Sequence, residues 1–222
     1  MRYLSPVRFL LALVRFAGLR RAVPLAIVAA SISVAGCNRG PVPVRIPRVD
    51  PAAASQGAVE LYDTNGDGQL SNQELTACPG ILRNLSIYDA DSNNSVTQGE
   101  IETRLHNFFP PNVGVTKLSV HVSLDGRSLA GATVKFIPEA YLGGDIKPAG
   151  GITTDRGNAT IDIRDQDAPE SEHGLSGIHF GTYKVQVTHP TLPIPAKYNT
   201  ETTLGYETQR GNPSFEFDLE SR

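Results

Sequence analysis

Apolar and polar side chains alternate along short segments in the C-terminal half of the chain. Across residues 118–124, Leu and Val alternate with polar residues up to the Asp125-Gly126 turn. Successive side chains of a β-strand point to opposite faces, so this alternation predicts strands with one buried face. Similar segments cover residues 132–137, 152–154, 158–163, 182–188 and 214–219. Six or seven short strands separated by turns predict an antiparallel β-sandwich over residues 115–222.

The pattern is different before residue 110. Apolar residues there recur at helical spacing in short stretches, and Pro79-Gly80 interrupts the middle of the region. The stretches cover residues 53–62, 74–78, 81–88 and 98–109. The chain is therefore predicted to be an α+β multidomain protein, with a short helical unit at 52–109 followed by the sandwich.

The helical unit contains an internal repeat. Residues 61–75 align with residues 87–101 at a period of 26 residues. Each copy places a segment rich in Asp, Asn and Ser between two of the predicted helices. In the first copy this segment follows the pattern D-x-[DN]-x-[DN]-G-x₅-E at every position, a pattern typical of loops that bind Ca²⁺.

These segments resemble the calcium loops of EF-hand proteins, and the resemblance covers residues 52–109. In that family a 12-residue loop wraps the ion with oxygen ligands and turns sharply at its sixth position. We call residues 63–74 loop 1. The ligands that the resemblance implies there are Asp63, Asn65, Asp67, the Gln69 carbonyl, Ser71 (commonly through water) and Glu74.

We call residues 89–100 loop 2. Its implied ligands are Asp89, Asp91, Asn93, the Ser95 carbonyl, Thr97 and Glu100. Asn94 replaces the glycine at the sixth position. Asn tolerates the left-handed backbone conformation better than most residues, so we expect two Ca²⁺ sites, the second of them weaker. Leu70 and Val96, at matching positions, are expected to pair between the loops.

The predicted role of calcium is structural. Calcium sensors open onto a Met-rich groove, and this chain has no methionine beyond Met1. We therefore expect calcium to order residues 52–109 without exposing a new hydrophobic surface and without affecting residues 115–222. An extracytoplasmic calcium sensor remains an alternative.

The N-terminus has the features of an export signal. A basic stretch ends at Arg20-Arg21, and a short apolar run precedes Val34-Ala35-Gly36-Cys37. The run is too short to span a bilayer but fits the core of a signal peptide, although a transmembrane anchor is an alternative. The Val-Ala-Gly-Cys sequence resembles the lipobox of bacterial lipoproteins, which implies cleavage after residue 36 and lipidation of Cys37.

Residues 37–51 are rich in proline and predict an extended tether. Asn38 follows the lipobox cysteine, and this favours the outer membrane for a lipid-anchored protein of the cell envelope. The first 36 residues carry five arginines and no acidic residue, so their removal changes the net charge from −3 to −8. The remainder has no clustered basic face, and we expect no nucleic-acid partner.

The C-terminal unit resembles the transthyretin-like (prealbumin-like), carboxypeptidase regulatory-like domains of secreted bacterial proteins. Residues 122–138, 153–160 and 181–185 carry this resemblance. The Pro-x-Gly that usually precedes the tyrosine is replaced here by His179-Phe180-Gly181. The family implies an accessory or adhesion module, with a protein or a cell-envelope polymer as the partner.

Catalytic motifs are not evident. The five histidines lack the spacing of zinc ligands, and no nucleophile elbow or phosphate loop is present. The expectation is that the protein is not an enzyme and that Cys78 is a small core residue. The alternatives are an accessory subunit or an unrecognised hydrolase of the cell envelope. A hydrolase would use an acidic run formed by Asp162, Asp165, Asp167, Glu170 and Glu172.

Overall fold

The computed structural model describes residues 46–109, 113–167, 173–174, 176–211 and 213–222. The predicted signal peptide, Cys37 and most of the tether lie outside these residues. The described residues all belong to one structural unit. Within the described ranges, no helix has the length and apolar character needed to cross a membrane.

The two longest helices begin with side-chain caps. Helix α1 (Pro51–Tyr62) starts at Asp50, whose carboxylate accepts from the amides of Ala52 and Ala53. Two shorter helices follow, α2 (Pro79–Leu82) and α3 (Leu85–Tyr88). Helix α4 (Gln98–Phe108) has a reciprocal capping box between Thr97 and Glu100. A short 3₁₀ turn, Glu74–Ala77, precedes α2.

The helix predicted over residues 81–88 is interrupted. Asn84 has φ −109° and ψ 20°, outside the helical region. Its side-chain amide donates to the Gly80 carbonyl at 2.8 Å, and such local hydrogen bonds compete with the helix ladder. The single predicted helix is therefore two short ones.

A two-stranded antiparallel ribbon joins the two repeats. It consists of β1 (Gln69–Ser71) and β2 (Ser95–Thr97). Leu70 lies opposite Val96, and both side chains are fully buried. The predicted pairing of these two residues is confirmed.

The larger sheet has five strands, which are β6 (Thr133–Pro138), β7 (Ala149–Ile152), β9 (Asp162–Ile163), β11 (Thr182–Thr188) and β12 (Leu204–Glu207). Their order across the sheet is β12-β11-β6-β7-β9, and every neighbouring pair is antiparallel. A separate short pair is formed by β3 (Val115–Thr116) and β10 (Ile178–His179).

The smaller sheet contains one parallel pair, which differs from the antiparallel arrangement that we predicted. Its strands are β4 (Ser119–Leu124), β5 (Arg127–Ser128), β8 (Asn158–Thr160) and β13 (Ser214–Leu219). Strands β5 and β8 are antiparallel to β4, whereas β13 runs parallel to it. Hydrophobic alternation specifies which face of a strand is buried, but not the direction of its neighbour.

Strands β7 and β12 are among those that differ from the sequence prediction, because glycines weaken their hydrophobic signal. Strand β7 ends at Ile152, whereas the prediction began there; its Gly150 lies so close to β6 that a Cβ would be 2.7 Å from the Val134 carbonyl oxygen. Strand β12 contains Gly205 and was not predicted. Glycine is depleted in strands generally, so such segments are easily missed.

The predicted inward faces are largely confirmed. Val134, Phe136, Tyr183 and Phe217 are each no more than 2% exposed. The centroid of the Phe136 ring lies 5.4 Å from that of Tyr206 in the same sheet and 6.2 Å from that of Phe217 in β13. The contact with Phe217 connects the two sheets. The fold is a mixture of few helices and mostly antiparallel sheets, compatible with a β-sandwich.

The helices pack directly on the five-stranded sheet. The start of α2 lies on β11 and β12, where two glycines permit close approach. A Cβ at Gly205 would overlap the Pro79 carbonyl, and a Cβ at Gly80 would lie 3.1 Å from the Thr182 Cβ. This contact brings residues 52–109 and 115–222 into one core.

Candidate metal centre

Asp63, the first acidic residue of loop 1, organises the turn. Its two carboxylate oxygens accept hydrogen bonds from the amides of Gly66 (2.7 Å) and Gly68 (2.8 Å). Both glycines have left-handed backbones, with φ of 76° and 81°. Glycine adopts this conformation without steric cost, so the loop curls around Asp63 with little strain.

Glu74 closes loop 1 from the other end. Its Oε2 accepts from the Ser71 hydroxyl at 2.7 Å and the Ser71 amide at 2.9 Å, while its Oε1 accepts from the Thr64 amide at 2.9 Å. The bonds from Ser71, followed by those from Thr64, lower the pKa of Glu74 to about 2. The carboxylate is therefore ionised at neutral pH, as a cation ligand must be.

Loop 2 has the same local design without the glycines. Asp89 accepts from the amides of Asn93 at 3.0 Å and Asn94 at 2.8 Å. Ser92 and Asn94, which occupy the positions of Gly66 and Gly68, have φ of 61° and 65°. The expected left-handed conformation of Asn94 is confirmed, whereas that of Ser92 was not foreseen. For residues with a Cβ this region costs about 1–2 kcal/mol each.

The last acidic residue of loop 2 is held like its counterpart in loop 1. Glu100 accepts from the Thr97 amide and hydroxyl, both at 2.8 Å, and from the Ala90 amide at 2.8 Å. Burial raises the pKa values of Asp89 and Glu100, but hydrogen bonds from the loop outweigh it and lower both.

One acidic group could hold a metal ion. One carboxylate oxygen from each of Asp89, Asp91 and Glu100 lies within 4.8 Å of the others. Across the described ranges, the carboxylates of loop 1 do not form such a group, and Asn65 stands there at the position of Asp91. Loop 2 thus has the more closely gathered carboxylates, and loop 1 the less strained backbone.

The remaining predicted ligands are Asn65, the Gln69 carbonyl and Ser71 in loop 1, and Asn93, the Ser95 carbonyl and Thr97 in loop 2. Their side chains or carbonyls are all oxygen donors, which suit a hard cation such as Ca²⁺ or Mg²⁺. The Gln69 amide donates to Asp67 at 2.9 Å and the Ser95 amide to Asn93 at 2.7 Å, so the two loops enter the β1–β2 ribbon in the same way.

Two buried glutamates next to the loops escaped the sequence analysis. Glu139, just after β6, accepts from the Tyr62 hydroxyl at 2.6 Å. Glu207, at the end of β12, accepts from the Tyr88 hydroxyl at 2.6 Å. Both glutamates are at most 2% exposed. The two tyrosines occupy equivalent positions in the repeat and were the only signal available in the sequence.

The surroundings of the two glutamates differ. Arg104 of α4 forms an ion pair with Glu207. Burial raises the pKa of Glu139; the Tyr62 hydroxyl and the Lys184 ammonium, 3.7 Å away, oppose this effect. The Cys78 thiol also lies beside Glu139. Cys78 is fully buried, which confirms it as a core residue, and burial raises its pKa.

The acidic run at 162–172 is not gathered into a site among its described members. Asp162 accepts from the Ser176 hydroxyl at 2.6 Å, Asp165 accepts from the Gly174 amide, and Asp167 pairs with Arg164. Glu170 and Glu172 lie outside the described residues. These three carboxylates are therefore engaged in hydrogen bonds and an ion pair within this segment.

Among the surface cavities formed by described residues are ones of about 660, 440 and 250 Å³. The largest of these three is lined by Ser123, Asp125 and Asp218 among others, and the Ser123 hydroxyl donates to Asp218 at 2.6 Å. None of the three is lined by a histidine. They do not bring together the Ser, His and Asp that a hydrolase would use.

No protein-family model matches the sequence, and no curated protein is significantly similar to it.

Proposed function

We propose that this chain is a calcium-binding protein of the cell envelope, in which an EF-hand pair binds two Ca²⁺ ions next to a transthyretin-like β-sandwich. The observation that supports it most is the equivalence of loops 1 and 2. Each wraps its backbone around a leading Asp, each closes on a Glu held by a hydroxyl residue, and the two meet through Leu70 and Val96.

The role we propose for calcium is structural. In an EF-hand sensor the apolar face of the helices is available to a target. Here Ile81, Leu105 and Tyr88 are at most 1% exposed, and α2 packs on the five-stranded sheet. The chain's own sheet thus covers the surface that a target would need, so this packing favours a structural role over a sensor.

Calorimetry tests the two sites. Glu74→Gln and Glu100→Gln each remove one anionic ligand from one loop, and each variant is expected to lose one of two binding events when Ca²⁺ is titrated. Binding should be weakened at least about 100-fold, as for a lost charged ligand.

Matched controls separate ligand loss from general charge loss. Glu60→Gln and Glu102→Gln remove equally charged residues from the helices next to loops 1 and 2, outside the ligand set. Both controls should retain two events. Two unchanged events in Glu74→Gln or Glu100→Gln would refute the assignment of that ligand, and no event in the unmodified chain would refute the function.

The sandwich is proposed to work by binding a protein or a cell-envelope polymer rather than by catalysis. The engaged carboxylates of the acidic run and the cavities without histidine offer no support for a hydrolase. The alternative role, as the accessory subunit of an enzyme, would likewise consist of binding a protein partner.

Attachment to the membrane is proposed through lipidated Cys37, which lies outside the described residues. Cys37→Ser should abolish lipid attachment, because the acyl chains are carried by that thiol. Mass spectrometry of the membrane fraction should identify a mature chain that starts at acylated Cys37 in the unmodified protein only. Equal processing and membrane retention of the variant would contradict the proposal.

A further inference from the structure

The two buried glutamates of the sheet contact equivalent residues of the two repeats. Tyr62 and Tyr88 each immediately precede the first acidic residue of a loop. Cys78 lies four residues beyond Glu74, the last acidic residue of loop 1, and Arg104 lies four residues beyond Glu100, the last acidic residue of loop 2.

Glu207 contacts Tyr88 and Arg104, whereas Glu139 accepts from Tyr62 and leaves its Oε1 without a hydrogen-bond partner among the described residues. Glu207 therefore contacts the chain before loop 2 begins and again after it ends, and Glu139 forms a hydrogen bond with it only before loop 1. A carboxylate that holds both ends of a 12-residue segment restricts how far the ends can separate.

We propose that Glu207 and Glu139 are positioning residues for calcium, Glu207 by holding both ends of loop 2 and Glu139 by holding the start of loop 1, so that calcium affinity depends on docking of the sheet. The proposal rests on the proposed function. Hydrogen bonds to charged groups are stronger than those between neutral groups. A loop whose ends are already fixed loses less conformational freedom when it closes on an ion, and this raises affinity.

The coupling must work in both directions. If docking of the sheet strengthens calcium binding, then calcium strengthens docking of the sheet by the same factor. Strand β12 carries Glu207 and forms the edge of the sheet under α2. It is therefore the strand in which the effect of calcium should be largest.

The test uses the full-length chain in detergent, with Ca²⁺ titrated by calorimetry. Tyr88→Phe removes only the hydroxyl that reaches Glu207 and leaves the ring in the core. It should weaken one of the two sites by about five- to tenfold, a part of the free energy of the lost hydrogen bond. That site should be the one lost in Glu100→Gln. Tyr62→Phe should weaken the other.

Tyr198→Phe is the matched control. The Tyr198 hydroxyl accepts from the Glu220 amide at 3.1 Å, and its side chain is 7% exposed. Removing it deletes one hydroxyl hydrogen bond from the sheet without touching a loop. Both affinities should then stay within about twofold, as expected for separate sites.

A second measurement needs no variant and follows local openings of the native state, which are separate from global unfolding. In these openings Ca²⁺ should slow amide hydrogen exchange in Leu204–Glu207 more than in Ser214–Leu219 of the other sheet, because only the former carries a glutamate that contacts both sides of a loop. Equal affinities in Tyr88→Phe and the unmodified chain, or equal protection of the two strands, would overturn the coupling while leaving calcium binding intact. An unmodified chain that binds no Ca²⁺ would overturn the proposed function as well.

Discussion

Removing calcium is expected to lower the free energy of unfolding of the chain by about 5 kcal/mol, since a ligand at 100 times its dissociation constant contributes about 2.7 kcal/mol at each of two sites. For a protein of this size that corresponds to a fall in melting temperature of roughly 10 °C or more. Differential scanning calorimetry with saturating Ca²⁺ and with a chelator measures it directly.

The same experiment tests how the helices and the sheets unfold. From the sequence we expected residues 115–222 to be unaffected by calcium, but α2 lies on β11 and β12, and Glu139 and Glu207 bind the helices. We therefore expect one shared transition that shifts as a whole. Two separate transitions, with only the first sensitive to calcium, would contradict this packing argument.

Gly205→Ala is expected to destabilise the chain by about 3 kcal/mol, the upper range for overpacking a close contact. The added methyl group would overlap the Pro79 carbonyl, a backbone atom at the start of α2 that cannot rotate away. Docking of α2 on β12 would have to loosen, and chemical denaturation should reveal the loss.

Gly144→Ala provides the control for this substitution. A Cβ at Gly144 has no neighbour within 4 Å, and its backbone is not in the left-handed region. The free energy of unfolding of Gly144→Ala should differ from that of the unmodified chain by less than about 0.5 kcal/mol, as for most surface positions. Equal stabilities for the two variants would show that the helix does not lie against β12 in solution.

Much of the candidate site could be predicted because it is local. The predicted ligands of loop 2 lie within residues 89–100, and the turn depends on the backbone preferences of a few residues such as Asn94. Such contacts join residues that are close in the chain, so the sequence pattern predicts them directly. Ser92 was missed because serine rarely adopts a left-handed backbone.

The strands were predictable wherever alternation was strong. Tyr183, Val185 and Val187 face inward as expected. Strand β12 was missed because its Gly205 serves contact with another segment and carries no hydrophobic signal. The parallel pairing of β13 with β4 was missed because alternation is the same in either direction.

The sequence by itself determined the repeat, the two loop geometries and the faces that enter the core, since each depends on residues within a short stretch of chain. Only the tertiary structure decided that the helices rest on the sheet and which carboxylates hold them there. Tyr62 and Glu139 are 77 residues apart, and Tyr88 and Glu207 are 119 apart. No local propensity links such residues; burial of the helices against β11 and β12 brings them together, and the cost of burying unpaired carboxylates then requires the tyrosines.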